Sequence, residues 1–126
     1  MSDSLVQILD PTGKKVGPAP RVKKEVLRRI YRAILMTRHF DDRCMKLQRT
    51  GKIGFSVPNL GIEAVSAGAA AALDPARDWI APSYRDFAMA FYHGVSVEAM
   101  MDTQFGNAAD NNRGRQAIKN SAALSR

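Results

Sequence analysis

The 126-residue chain holds one cysteine, two histidines and one tryptophan. A lone thiol, Cys44, excludes an internal disulfide and makes the reducing cytosol the expected compartment. Cys44 falls inside a helical pattern with no paired histidine, so it reads as a small core residue rather than a nucleophile. His39 and His93 have no metal-ligand company. A core-edge place for His39 and a helix C-terminal place for His93 account for them. No apolar run approaches the roughly 20 residues that span a bilayer. The first residues lack a signal-peptide pattern, and their Pro and Gly interrupt any amphipathic targeting helix. "GRQAIKN" joins a glycine to basic residues without the spacing of a phosphate loop.

Acidic residues are scarce where basic ones abound. Residues 1–52 carry 13 basic and 5 acidic side chains, whereas residues 53–126 carry 6 and 7, within a formal charge of +7. A basic half raises the question of nucleic acid. Yet the charges alternate with a strong apolar face, and no basic–aromatic interleaving or recognition motif goes with them. A solvated face, or one turned towards acidic partner subunits, is the expectation; nucleic-acid binding and membrane association are not.

What is present reads as mainly helical. Residues 1–21 contain "DPTGKK" and "GPAP", a turn followed by extended chain, with "LVQIL" as a short apolar cluster that could lie on a neighbouring surface. From Val22 to about Thr50, Val26, Leu27, Ile30, Ile34, Phe40, Cys44 and Leu47 recur at three- and four-residue steps, which predicts a long amphipathic helix. Gly51 is its natural stop, and Thr37 marks a point where it could bend or break. "GKIGFSVPNLG" is loop, either a plain connector or one wall of a pocket. Gly54 and Gly61 in it point to close approach or unusual dihedrals. "IEAVSAGAAAAL" predicts a small-residue helix from about Ile62 to Leu73, suited to close packing, with Glu63 supporting its first turn. "DPARD" is a turn and "WIA" one short strand. Ser83 and Asp86 fit a capping box for a further helix whose one face holds Tyr84, Phe87, Ala88 and Phe91. A last helix runs from about Val97 to Phe105 behind the cap Ser96.

The site-like feature in this pattern is "PSYRDF". An arginine in the first turn of a helix opposes the helix dipole. Two explanations stand. Either an anion sits beside Ser83, Tyr84 and Arg85, held by free backbone N–H groups, the guanidinium and the phenol, or Arg85 pairs with Asp78 or Asp86 while Tyr84 packs inward.

Four blocks, "YRAILMTRHFDDRCMKLQRTGKIGFSVPNLGIEAVSAGAAAAL", "DWIAPSYRDFAMAFYHG" and "QFGNAADNNRGRQ" among them, closely resemble the N-terminal third of the alpha subunit of 2-oxo acid dehydrogenase E1 components. The likeness runs in order from about residue 22 to 116 and leans to the branched-chain, 2-oxoisovalerate type, close to the pyruvate type. It implies an α/β thiamine diphosphate-binding fold of which this chain carries the helical N-terminal part, the parallel sheet being largely missing. With residues 1–21 read from their composition as an extended arm, it further implies a partial cofactor-binding domain at 22–116 and a divergent or truncated tail at 117–126.

The resemblance implies a cofactor, thiamine diphosphate with Mg²⁺, and three partners: an E1 beta subunit, another E1 alpha chain and a lipoyl transacylase. Tyr84 and Arg85 match the family pair that contacts the diphosphate, and Phe55 matches an aromatic residue lining the cofactor pocket. Ser83 stands where branched-chain members can carry glutamine, and Ile62 departs from a commonly polar position. The family's "GDG" and its following asparagine are absent, and "GRQ" is followed by "AIKNSAALSR" rather than Met-Pro and a histidine. The chain is therefore expected to be an amino-terminal fragment without catalytic residues, inactive alone in oxidative decarboxylation. The alternatives are an interaction piece docking on E1 subunits and, motivated by charge alone and ranked below it, a basic nucleic-acid-binding protein.

Overall fold

The computed structural model describes residues 6–115 except Pro75, Trp79 and Ala81. Among the described residues four helices carry the fold: α1 (Lys24–Arg49), α2 (Glu63–Ala72), α3 (Phe87–Tyr92) and α4 (Val97–Phe105). Among the described residues there is no strand; an isolated antiparallel bridge joins Leu9 to Lys15. The expected "WIA" strand falls partly outside the described residues, and Ile80 is not in one. The tail at 117–126 lies outside them altogether.

The sequence chemistry explains the length of α1. Glu25 lies in its first turn, and Lys46 and Arg49 lie in its last, each sign complementing the dipole. The helix runs unbroken past Thr37, whose hydroxyl donates to the Ala33 carbonyl at 2.8 Å and so needs no break to be satisfied. Gly51 then takes a φ of 69°. The Gly51 N–H donates to the Gln48 carbonyl and the Lys52 N–H to that of Leu47, both at 2.9 Å. This is the Schellman arrangement, and it satisfies carbonyls that the helix leaves free.

Of the predicted apolar stripe, Phe40, Cys44 and Leu47 are buried, Ile30 and Ile34 partly so, and Leu27 is exposed. The N-terminal half of α1 thus presents Leu27, Tyr31 and Leu35 to solvent. The core sits further along, where α1, α2 and α3 pack on one another. Phe40 is its centre, meeting the rings of Phe87 and Phe91 edge-on with centroids 5.4 and 5.5 Å away. Ala67 and Ala70 of α2 and Ala88 and Ala90 of α3 are fully buried there, so small side chains bring these helices close. The other side of α2 is open: Ala64, Val65, Gly68, Ala69 and Ala72 are exposed.

Burial settles the smaller expectations. Cys44 is fully buried, and that burial pushes its thiol up to about 11. His39 is exposed rather than at the core edge. His93 is the C-cap of α3, as expected, but burial first and the charge of Arg29 second hold its imidazole below the ordinary histidine value. Gly61 does take an unusual dihedral, φ 96°, whereas Gly54 has neither a positive φ nor a close neighbour. In the arm, the turn at "DPTGK" is closed by Asp10, whose carboxylate accepts from Thr12 and from the Lys14 N–H. Val6, Leu9 and Val16 in the arm remain exposed.

Candidate functional site

The "PSYRDF" stretch is built differently from its sequence pattern. The helix begins at Phe87, with Asp86 as its N-cap position, so Tyr84 and Arg85 stand in a turn before it. Arg85 therefore does not oppose the dipole from inside the first turn. The reciprocal bonds of a capping box are nevertheless present in shifted form. The Ser83 N–H donates to Asp86 Oδ2 at 2.8 Å, and the Arg85 N–H donates to Ser83 Oγ at 3.4 Å. The Asp86 N–H closes the turn on the Ser83 carbonyl at 3.2 Å.

With Asp86 occupied in this way, the first N–H of α3 is satisfied from elsewhere. Asn59 Oδ1, from the loop between α1 and α2, accepts from the Phe87 N–H at 3.2 Å. Asn59 is itself held by Asp41 of α1: its backbone N–H donates to Oδ2 at 2.6 Å and its side-chain amide to Oδ1 at 2.9 Å. Both residues are buried, Asn59 to 1% exposure. Burial raises the Asp41 pKa above the usual aspartate value, the Asn59 bonds pull it down, and the charge of Glu63 adds a further push up. This relay fixes the start of α3, and with it the Tyr84–Arg85 turn, relative to α1.

Glu63 is the second buried carboxylate. Its Oε2 accepts from the Gly61 N–H at 2.9 Å, which is the first-turn support expected of it. Its Oε1 also meets Arg38 Nε at 3.1 Å, a tie to α1 that the sequence pattern does not announce. A third tie runs from the Met89 N–H to Ser66 Oγ at 3.1 Å, joining α3 to α2.

The side chains expected at the site from the resemblance project from this frame. Tyr84 is 39% exposed and does not pack inward with Phe87, Ala88 and Phe91. The Arg85 guanidinium lies 5.6 Å from the centre of the Tyr84 ring, a cation–π distance. Phe55 is 51% exposed, between Ile53 and Ser56, which are both buried. The Ser56 N–H donates to Gln48 Oε1, so the loop is tied to α1 directly beside Phe55. Sequence reasoning missed Asp41 and Asn59, although a signal existed. Asp41 occupies a core register between Thr37 and Cys44, where a charged side chain demands buried donors.

The frame thus presents Tyr84, Arg85 and Phe55 outward. Comparison with known proteins places the chain in a family. The family model for "Dehydrogenase E1 component" matches residues 31–125, and the chain belongs to that family. It is 40% identical over 85 residues to the 2-oxoisovalerate dehydrogenase subunit alpha of Bacillus subtilis, covering 68% of this chain and 26% of that protein. With the pyruvate dehydrogenase E1 component subunit alpha of Acholeplasma laidlawii it shares 34% over 100 residues, 78% of this chain and 29% of the relative. With the mitochondrial 2-oxoisovalerate dehydrogenase subunit alpha of Homo sapiens it shares 30% over 114 residues, 89% and 25%. The chain is thus homologous to E1 alpha subunits, and it spans about a quarter of the length of these relatives. Its helices are consistent with the N-terminal helical part of the family fold. No helix among the described residues is long and apolar enough to cross a membrane.

Proposed function

We propose that this chain supplies one side of a diphosphate clamp for thiamine diphosphate, in an E1 alpha-type subunit that serves oxidative decarboxylation of a branched-chain 2-oxo acid. One observation carries this reading: Arg85 makes no ion pair among the described residues, although both carboxylates offered to it by sequence are near in the chain. Asp78 Oδ2 accepts instead from the Asp74 N–H at 2.8 Å, and Asp86 Oδ2 from that of Ser83. The guanidinium keeps its donors for an external oxyanion, and the neighbouring phenol adds another.

The residues fit the diphosphate and do not fit the metal. Among the described residues no group of three or more His, Cys, Asp or Glu side chains could hold an ion. Thiamine diphosphate, when bound, supplies the carbanion chemistry by which a 2-oxo acid loses carbon dioxide. This chain's part is to bind and orient. Arg85 neutralises and fixes the diphosphate, Tyr84 donates a hydrogen bond and braces the guanidinium, and Phe55 offers an apolar wall.

In the full assembly the partners are an E1 beta subunit, another E1 alpha chain and a lipoyl transacylase that accepts the acyl group, with the cytoplasm as the site of action. Residues 22–116 are then the cofactor-binding part and residues 1–21 an arm. The chain by itself offers two diphosphate contacts and is expected to be inactive in decarboxylation.

The reading is tested by calorimetric titration of the chain with inorganic pyrophosphate. Arg85→Ala should weaken binding on the order of 10- to 100-fold, the loss of a charge-assisted contact. Equal affinity in the variant refutes the clamp. A second reading, an interaction piece that docks on E1 subunits, draws on the exposed small-residue face of α2 and on Leu27, Tyr31 and Leu35 of α1. It requires co-purification with a beta-type subunit, and its failure leaves the pyrophosphate result standing.

A further inference from the structure

A cleft of about 470 Å³ opens between the N-terminal half of α1 and the connection from α3 to α4. None of the residues of the proposed diphosphate clamp lines it. Met36, Phe91 and Val95 line it together with Arg29, Arg32 and His93. A volume of a few hundred Å³ that mixes apolar side chains with a few polar groups is the form of a small-molecule site.

The polar groups are positioned rather than scattered. Arg29 Nη2 donates to the Tyr92 carbonyl at 3.1 Å, and its guanidinium lies 4.4 Å from the centre of the Tyr92 ring. That capping of α3 explains one of the five N–H donors of Arg29 and leaves the others unspent. Arg32 makes no ion pair among the described residues. His93 also lines the cleft; its ring has the Ala70 backbone as a hydrogen-bond partner, and its Nε2 is buried. Ser96, the N-cap of α4, lines the same cleft and brings the positive end of that nine-residue helix to its edge.

We infer that this cleft is a binding site for a small oxyanion with an apolar body, a carboxylate or phosphate monoester whose head meets Arg29 and Arg32 and whose body lies on Met36 and Val95, with His93 close enough to report on it. It is separate from the clamp at Arg85 and does not depend on it.

The two histidines of the chain make the test direct. His93 lines the cleft, and His39, which does not, serves as the internal reference. The full chain is titrated with benzoate, phenyl phosphate and acetate while the imidazole resonances of both residues are followed by NMR. Benzoate or phenyl phosphate should shift the His93 signals saturably, with a Kd on the order of millimolar or below, and leave those of His39 in place. The tighter of the two names the head group. Acetate, with the head and no body, should bind at least roughly tenfold more weakly than benzoate. Arg32→Gln, an exposed change, should weaken binding by about tenfold with an unaltered far-UV spectrum, and Arg85→Ala should leave it unchanged. Linear, unsaturated shifts, equal movement of His39, or undiminished binding to Arg32→Gln would each overturn the assignment.

Discussion

Replacing Asn59 with alanine tests the relay on which the position of the site depends. The substitution removes two hydrogen bonds and orphans two groups: Asp41 Oδ1, bonded at 2.9 Å, and the Phe87 N–H, bonded at 3.2 Å. The backbone bond from Asn59 to Asp41 Oδ2 survives. A buried group that loses its partner costs about 1–3 kcal/mol, and more where the group is charged. The expected loss is therefore about 3 kcal/mol, out of a total on the order of 5–15 kcal/mol for a domain of this size. In urea, with m of about 1–3 kcal/mol/M, the midpoint should fall by roughly 1–3 M, as read from the helical signal in the far ultraviolet. The interaction is isolated by a double-mutant cycle with Asp41→Ala. Once the carboxylate is gone the Asn59 amide has less to satisfy, so the two losses should fall short of additivity by about 1–3 kcal/mol. A loss below about 0.5 kcal/mol for Asn59→Ala, or strict additivity in the cycle, refutes the account of a coupled buried relay. Pyrophosphate binding supplies an independent readout, because loosening the first N–H of α3 also loosens the turn that carries Arg85.

Other perturbations follow from single features. Cys44, buried with its thiol pushed up to about 11, should resist Ellman's reagent at pH 8 in the native chain and react at once in denaturant; prompt native labelling would contradict its burial. Ser96→Ala removes the oxygen that accepts from the Ala99 N–H at 3.1 Å and should cost about 1 kcal/mol, seen as a lowered urea midpoint. His93 has a depressed pKa when folded, so the unfolded chain binds its proton first. Its contribution to stability is present above the ordinary histidine pKa and is lost as pH falls through the lower folded value. His93→Gln should therefore narrow the stability difference between pH 7.5 and pH 5, and an unchanged difference would remove the histidine from the account.

How much of this was legible in the sequence depended on whether a feature was local. The boundaries of α1 and α4 follow from caps and periodicity, and the observed helices begin and end within two residues of the expected places. Both signals act within a few residues of one another. The start of α3 was misplaced because Ser83 and Asp86 satisfy a local pattern while the decisive acceptor, Asn59, lies 28 residues away. The same distance hid the role of Asp41. The direction of Tyr84 was misjudged for a related reason: a helical face was extended one turn into residues that are not helical. Tyr84 and Arg85 stood out from the pattern of the helix start and Phe55 only from family likeness, and their presentation on the surface is what the fold adds.

The loop from Gly51 to Gly61 invites one practical conclusion. It is irregular, rich in glycine and exposed at Phe55 and Leu60, the usual marks of a place where a tag or an extra residue goes unnoticed. Yet it is fastened at Lys52 to Leu47, at Ser56 to Gln48, at Asn59 to Asp41 and at Gly61 to Glu63. Fixed at four points in ten residues, it behaves as a ruler whose length is set by the helix beneath it. One inserted residue would shift Asn59 out of reach of either Asp41 or Phe87. Engineers who need a permissive site will find it in the turn at Pro11–Gly13, where the chain answers only to Asp10.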